Sequence, residues 1–591
     1  MRKGTRNSVI AAIAILAAGA GYGAFASRRH RPSPGAPGAA LPAPATAPAA
    51  APTPARGGAL VASVHTDPKS FNRYLQRDST TDLITTLIHG KLVRLNRVTQ
   101  DVDPWLAESW TRAADGLSYT LALRQGVAFS DGHPFTADDV LFSLEAAYDE
   151  RTGSVIADTL TIGGRRLRAA APDPLTVVVT FPEPFAPGLR ILDNLPLYPR
   201  HVLAQALRDG TFAAAWGAGT PPDQLVGLGP FVVSEYAPGQ RMVFSRNSRY
   251  WRRAGNGDAL PYLDRVTLEI IPDQDLEVLR LDAGLLDMTA TELRAEDYAP
   301  LRRAADAGEL ALLDLGVGFD ADSLWFNLRP TAGPGDPRAA WLRSDQLRRA
   351  ISLAVDRDLF ANTVFLGAGV PAYGPITAAN RKWHADLPPL PHDPAAAARE
   401  LAGAGLSDRD GDGLLEDAAG RPARFALLTQ KGNTTLERGA AVIRDELRKI
   451  GLAVDVVALD GNAVIGRFLS GEYDAVYFRI TTTDTDPAVN SDFWLSSGSS
   501  HIWNPEQKTP ATGWEGEIDA LMRRQMAAFD DGERKRLFDQ VQAIFARHLP
   551  TIQFVAPRVF VAVSSRVTNL APTAFSRPQL LWSPDTIAVV R

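Results

Sequence analysis

RFALLTQKGNTTLERGAAVIRDELRKIGLAVDVVALDGNAVIGRFLSGEYDAVYFRI, residues 424 to 480, decides the architecture of a large part of this chain. RFALLT is a short apolar run with the composition of a strand. Asn433 or Thr434 then caps a segment in which Leu436, Ala440, Ile443, Leu447 and Ile450 recur at helical spacing, and Gly451 stops it. LAVDVVAL is a β-branched strand, NAVIGRFLSG a shorter helix, and YDAVYFRI a further strand. Strands separated by helices of this length lie parallel, joined by right-handed crossovers, so one lobe is expected to be α/β.

Ahead of this stretch lies a β-rich region. LSYTLAL, LTVVVTF, FVVSEY, RMVFSR and RVTLEII are strand candidates separated by Gly, Pro, Asn and Asp. Beyond residue 480 the pattern returns to helix, with Leu537, Val541, Ile544 and Phe545 on one face. It stops at Pro550 and resumes as strand in TIQFVA and VFVAVS. A chain that leaves one lobe, builds a second and comes back would cross a hinge twice.

The N-terminus has a different character. Arg2, Lys3 and Arg6 precede an apolar run from Val9 to Ala26, which has the form of an export signal with an acceptable cleavage site at Ala24-Phe25-Ala26. Arg28, Arg29 and Arg31 follow directly, and the run is long enough to serve instead as an uncleaved anchor. Next comes RPSPGAPGAALPAPATAPAAAPTPARGG, where proline is too frequent for helix or central strand and alanine too small for a core; it is read as a semi-rigid linker.

Composition removes several function classes. The 62 basic and 67 acidic residues leave a formal charge of -5, giving no general electrostatic reason to bind nucleic acid. There is no cysteine, hence no disulfide, thiol nucleophile, thiolate metal site or lipid-acylated cysteine. G-x-S-x-G and the phosphate-binding loop G-x-x-x-x-G-K-[ST] are both absent, and no pair of carboxylates is nominated by spacing for hydrolysis. An enzyme is not expected, nor is a resident cofactor. SDRDGDGLLED places Asp408, Asp410, Asp412 and Gly413 at the spacing that opens a calcium loop, but position twelve is Ala419. The stretch is read as a surface turn in which Glu416 could substitute for the missing ligand, and no metal site is assigned. The nine histidines are scattered, without H-E-x-x-H.

FSDGHPFTADDVLFSL, residues 129 to 144, gathers Asp131, His133, Thr136, Asp138 and Asp139. The order Thr-Ala-Asp-Asp is that of an N-cap followed by first-turn carboxylates, so a helix start accounts for the segment. It is part of PWLAESWTRAADGLSYTLALRQGVAFSDGHPFTADDVLFSLEAA (104–147), which resembles the signature of family 5 extracellular solute-binding proteins, the dipeptide-, oligopeptide- and nickel-binding components of ATP-binding cassette importers. GLGPFVVSEYAPGQRMVFSRNSRYW (227–251), LRRAISLAVDRDLF (347–360), HDPAAAARELAGAGL (392–406) and GRFLSGEYDAVYFR (466–479) resemble later blocks of the family, in family order.

The resemblance implies an α/β, two-lobe periplasmic-binding-protein fold (type II, two hinge crossings) with an inserted β-rich subdomain. The expected division is leader or anchor 1–26, linker 27–57, first lobe 58–95, inserted subdomain 96–226, first lobe again 227–316, second lobe 317–555, and return to the first lobe 556–591. It further implies an extracytoplasmic monomer, periplasmic and either free or tethered to the inner membrane by its N-terminus. Such a protein captures peptides between its lobes and delivers them to the inner-membrane permease subunits of an importer.

Family peptide binders pair the ligand's α-ammonium with the first aspartate of a Trp-x-x-Asp-x-x-Asp-Pro run. With Asp486-Pro487 as anchor, Thr483 stands at that position here and Ile480 replaces the tryptophan. This departure matters because a buried ammonium without a carboxylate is costly. Asp484, one residue along, is the available substitute, and Asp484 and Asp486 either meet the ligand or shape a turn. Phe493, Trp494 and Trp503 are candidates for a permissive pocket wall, with core packing as the alternative. Phe71 and Asn72 fall where the family's N-terminal segment approaches the cleft. Other readings compatible with the residues are a binder of a non-peptide solute (metal chelate, glycan or opine-like compound) and a membrane-tethered ligand sensor.

Overall fold

The computed structural model describes residues 56–76, 78–290, 293–330, 335–479, 484–505, 507–575 and 580–590. The expected leader, nearly all of the linker, and Thr483 with Ile480 lie outside the described residues.

Two large sheets organise the molecule. The second-lobe sheet runs Ala453–Leu459, Arg424–Gln430, Ala475–Arg479, Asp322–Phe326, Thr551–Gln553. Its first three strands are parallel, as the spacing of residues 424 to 480 requires. Helix Thr434–Arg448 crosses between the first two in sequence, with the Asn433 side chain accepting from Leu436 N and Leu436, Ala440, Ile443 and Leu447 turned into the core. At Gly439 the helix backbone comes so close to the sheet that a Cβ would overlap the Tyr477 ring. Only glycine allows that approach.

The first-lobe sheet runs Phe231–Ala237, Arg241–Arg246, Arg265–Ile270, Ala59–Val64, Met288–Thr289, Val555–Ser564, Leu310–Val317. Ala59–Val64 is parallel to both of its neighbours, and the remaining pairs are antiparallel. A separate four-stranded antiparallel sheet, Ala107–Arg112, Ser118–Leu123, Thr176–Thr180, Arg168–Asp173, forms the inserted β-rich unit. The five strand candidates of the β-rich region therefore fall in two sheets. Strand composition carries no record of which partner a strand selects.

Helix Ala137–Tyr148 begins as expected: the Asp139 carboxylate accepts from Thr136 N at 2.9 Å and from Arg200 N at 3.0 Å. Asp131 accepts from His133 N at 3.0 Å in the preceding turn. The Gly-x-Gly of residues 227–229 is explained by contact, because a Cβ on either glycine would overlap the carbonyls that end helix Ser79–Ile88.

The chain passes from one large sheet to the other between Val317 and Asp322 and back between Gln553 and Val555, and in between it touches the first-lobe sheet again where Gly369–Pro371 pairs antiparallel with Val555–Pro557. Val555–Ser564 pairs antiparallel with Leu310–Val317, and Thr551–Gln553 pairs antiparallel with Asp322–Phe326. Gly318 N donates to Pro557 O at 2.8 Å, so the two crossings run side by side. Each lobe has its own large hydrophobic core. Two cores linked by paired crossings are the architecture of a hinge between lobes.

Candidate functional site at the junction of the lobes

Strand Ala475–Arg479 ends the parallel part of the second-lobe sheet, and Arg479 is anchored there by donating to Asp322 Oδ1 at 2.7 Å. Beyond it, residues 484–488 form a buried loop that reaches the other lobe; Ala488 is part of the first lobe's core. Asp484, only 5% exposed, accepts at Oδ1 from Arg190 Nε at 2.5 Å and from Asp486 N at 2.8 Å. Arg190 belongs to the 3-10 segment Gly188–Asn194 of the inserted unit. Its other nitrogens donate to Gln100 O at 2.7 Å and to Thr485 Oγ1 at 2.5 Å. Thr485 O in turn accepts from Asn380 Nδ2 at 2.8 Å. One guanidinium thus ties two segments of the first lobe to two consecutive residues of the second.

Burial pushes the Asp484 carboxyl up to about 6, against the downward pull of Arg190 and of the Asp486 N–H, and the neighbouring Asp486 carboxylate adds to the rise. Desolvation outweighs the ion pair here.

Asp486 is held differently. Its two oxygens accept from Arg534 Nη1 at 2.8 Å and Nη2 at 2.6 Å, a fork-to-fork pair inside the second lobe. Arg534 also lies over the Trp383 ring, 4.8 Å from its centroid. Further contacts join the lobes around this centre: Gln100 Nε2 donates to Ala379 O at 3.2 Å, Arg381 Nη2 to Val98 O at 2.9 Å, and Ala186 N to Met526 O at 2.7 Å.

The structure separates the residues nominated from sequence. Asp484 and Asp486 come to the junction, each with an arginine. Trp494 and Trp503 do not form a wall of the gap. They are 3% and 1% exposed, packed edge-on against Phe545 at 5.7 Å each, and Trp503 Nε1 donates to Glu515 at 3.2 Å. Their area is worth more in the second-lobe core than at a wet surface. Phe493, partly exposed, joins the same cluster 4.9 Å from Trp494. Phe71 is buried edge-on to Tyr236 at 5.6 Å, and Asn72 is buried with its amide donating to Phe212 O at 3.1 Å, so both fix the segment after the first strand within the first lobe.

Two residues central to the junction escaped the sequence reading. Arg190 lies between Leu189 and Ile191, and a charge inside an apolar run is the signature of a buried pair. Arg534 falls on the buried face of helix Asp531–His548 with Leu537, Phe538 and Val541, which is the same signature in helical form.

In the Asp-rich turn, carboxylate oxygens of Asp408, Asp410 and Glu416 lie within 4.8 Å of one another, the one such group of three metal-ligand side chains among the described residues. Asp412 is outside it, accepting from Leu414 N at 2.7 Å. The turn is braced by its own acids: Asp408 accepts from Gly411 N at 2.7 Å and Gly413 N at 3.1 Å, and Glu416 from Arg409 N at 2.8 Å. The histidines are less scattered in space than in sequence, since His133 and His201 stack with centroids 3.8 Å apart.

The model describing bacterial extracellular solute-binding proteins, family 5 (middle), matches residues 101–501. This chain belongs to that family. As a family 5 solute-binding protein it is extracytoplasmic and takes a small ligand for the permease components of an ATP-binding cassette importer. A probable ABC transporter-binding protein of Deinococcus radiodurans is 27% identical over 567 residues, 90% of this chain and 93% of that protein. The oligopeptide-binding protein AppA of Bacillus subtilis is 25% identical over 84% of this chain and 86% of its own length. The structure of AppA with a nonapeptide superimposes with a TM-score of 0.68, covering 91% of this chain and 100% of that one. The periplasmic alpha-galactoside-binding protein of Rhizobium meliloti is 27% identical over 82% of this chain and 73% of its own length. Family 5 relatives thus include binders of chemically different solutes. Among the described residues, no helix is long and apolar enough to cross a membrane.

Proposed function

We propose that this protein captures peptides between its lobes and presents them to the inner-membrane permease subunits of an importer, without making or breaking a bond in the cargo. The observation that carries the reading is the buried cluster of Arg190, Asp484 and Thr485, which exists only while the lobes are together. A solute that touches both lobes adds its contacts to this cluster and shifts the molecule toward the state the permease recognises. By the family resemblance Thr483 holds the sequence position at which peptide binders meet the ligand's amino end, with Asp484 the next residue along, and Phe493 is a partly exposed aromatic that follows the same loop. Phe71 and Asn72 hold the segment after the first strand in place within the first lobe. ATP hydrolysis belongs to a separate subunit, consistent with a sequence lacking the phosphate-binding loop.

A second reading rests on the same loop. Asp484 is already neutralised by Arg190 and Asp486 by Arg534, while threonine holds the family aspartate's position. A solute with no ammonium, such as a glycan, asks for no unpaired carboxylate, and one relative is described as an alpha-galactoside binder. Calorimetric titration with mixed tri- to pentapeptides and, separately, with raffinose decides between them. Saturable peptide heat upholds the proposal; raffinose binding without peptide binding replaces it.

A further inference from the structure

We propose that the first lobe carries a second ligand site, separate from the gap between the lobes, which takes a multivalent oxyanion: a compound bearing phosphate groups or several carboxylates. The site is a cavity of about 500 Å³ lined by Arg94, Arg124, Arg252, Arg253, Trp105 and Trp251, a size that suits a small organic ligand. Every lining residue lies between 94 and 124 or between 251 and 253, and none comes from the second-lobe sheet or its helices. Binding here needs no closure.

The arginines are set in place before any ligand arrives. Arg94 and Arg252 lie over the Trp105 ring, 3.9 and 4.4 Å from its centroid, and Arg124 lies 4.9 Å from that of Trp251. The two tryptophans meet edge-on at 5.4 Å. Stacking fixes the plane of a guanidinium, and a fixed plane presents its N–H fork to an oxyanion with little further loss of entropy.

Charge points the same way. Four arginines line the cavity against one carboxylate, Asp103, which Arg94 approaches only to 3.4 Å. Glu108 is 4.0 Å from Arg124 and half-exposed to solvent. Asp585, buried behind the wall, is already shared by Arg252 and the Tyr250 hydroxyl. The cavity therefore keeps an excess of positive charge. Burial draws the Arg94 guanidinium below the ordinary arginine range, and Arg252 beside it reinforces that shift against Asp585 and Asp103.

An acceptor-rich anion in the cavity neutralises the surplus charge of the arginines that line it.

The test is isothermal titration calorimetry of the intact chain at low salt, with inorganic pyrophosphate and citrate as probes. Cosedimentation with phosphatidylglycerol or pure phosphatidylcholine vesicles distinguishes a free anion from a lipid headgroup. Arg124→Gln/Arg253→Gln spares the buried Arg252–Asp585 pair; thermal melts verify that it folds. We expect one saturable site, weakened about tenfold or more in the double variant, as loss of charged hydrogen bonds predicts. Saturable binding of pyrophosphate or citrate alone identifies a free anion; binding to phosphatidylglycerol vesicles, displaced by pyrophosphate, identifies a headgroup. Either supports the site if the double variant weakens it. Absence of binding to all probes, or affinity unchanged in the folded double variant, overturns it.

Discussion

Asp484 and Asp486 are two residues apart, equally buried, and each is paired to an arginine, yet the pairs do different work. Asp486–Arg534 lies inside the second lobe and persists whatever the lobes do. Asp484–Arg190 spans the lobes and can exist only in their apposed state. The same pair of residue types therefore stabilises a fold in one case and sets a conformational equilibrium in the other. What distinguishes them is which rigid body carries the arginine.

The largest effect that tests this contrast is expected from Asp486→Ala. It leaves Arg534 buried and uncompensated within one lobe, so unfolding free energy measured by denaturant titration should fall by about 3–5 kcal/mol. A loss below about 1 kcal/mol would show that the fork-to-fork pair is not structural.

Arg190→Ala should act elsewhere. The second lobe stays folded, while opening returns Asp484 to water, so the variant should shift the lobes apart by about 1.5–3 kcal/mol. Small-angle scattering should then report a larger radius of gyration for the ligand-free protein, with little change in the denaturation midpoint. A variant as compact as the parent would break the comparison.

Acidity sharpens it further. The Asp484 carboxyl sits at about 6 when the lobes meet, above the carboxylate reference of 3.8. The apposed state therefore holds a proton more tightly than a state in which Asp484 is hydrated. Linkage makes apposition most favourable below about pH 4 and progressively less so as pH rises to about 6, by on the order of 2 kcal/mol. Scattering across this window should show a protein that expands with rising pH, and Asp484→Asn should flatten that profile. Contraction over the same window would reverse the assignment.

The smallest effect is expected where the same chemistry lies in water. Arg424 and Asp455 pair at 3.1 Å with side chains 54% and 53% exposed, and Asp455→Ala should change stability by less than about 1 kcal/mol. The three pairs then rank by burial and by the body they join, with residue type held constant.

Much of the fold was legible in the chain. The parallel part of the second-lobe sheet follows from the strand and helix periods of residues 424–480, and the helix start at Thr136 follows from a carboxylate at the third helical position. The site was half legible. Asp484 and Asp486 were marked by the resemblance of residues 480–487 to the family's aspartate-proline run, but their partners lie 294 and 48 residues away, and no local pattern couples such distances. Trp494 and Trp503 show the opposite failure: an aromatic in a polar loop has the same sequence whether it faces a gap or a core.

By itself the sequence determined where the strands and helices of the described residues form, because these depend on period, composition and short-range caps. Only the tertiary structure decided which strands share a sheet, which arginine meets which aspartate, and that four arginines and two tryptophans wall one cavity. Those outcomes depend on the approach of segments far apart in the chain, and their energies come from burial and long-range pairing that local residue order does not encode.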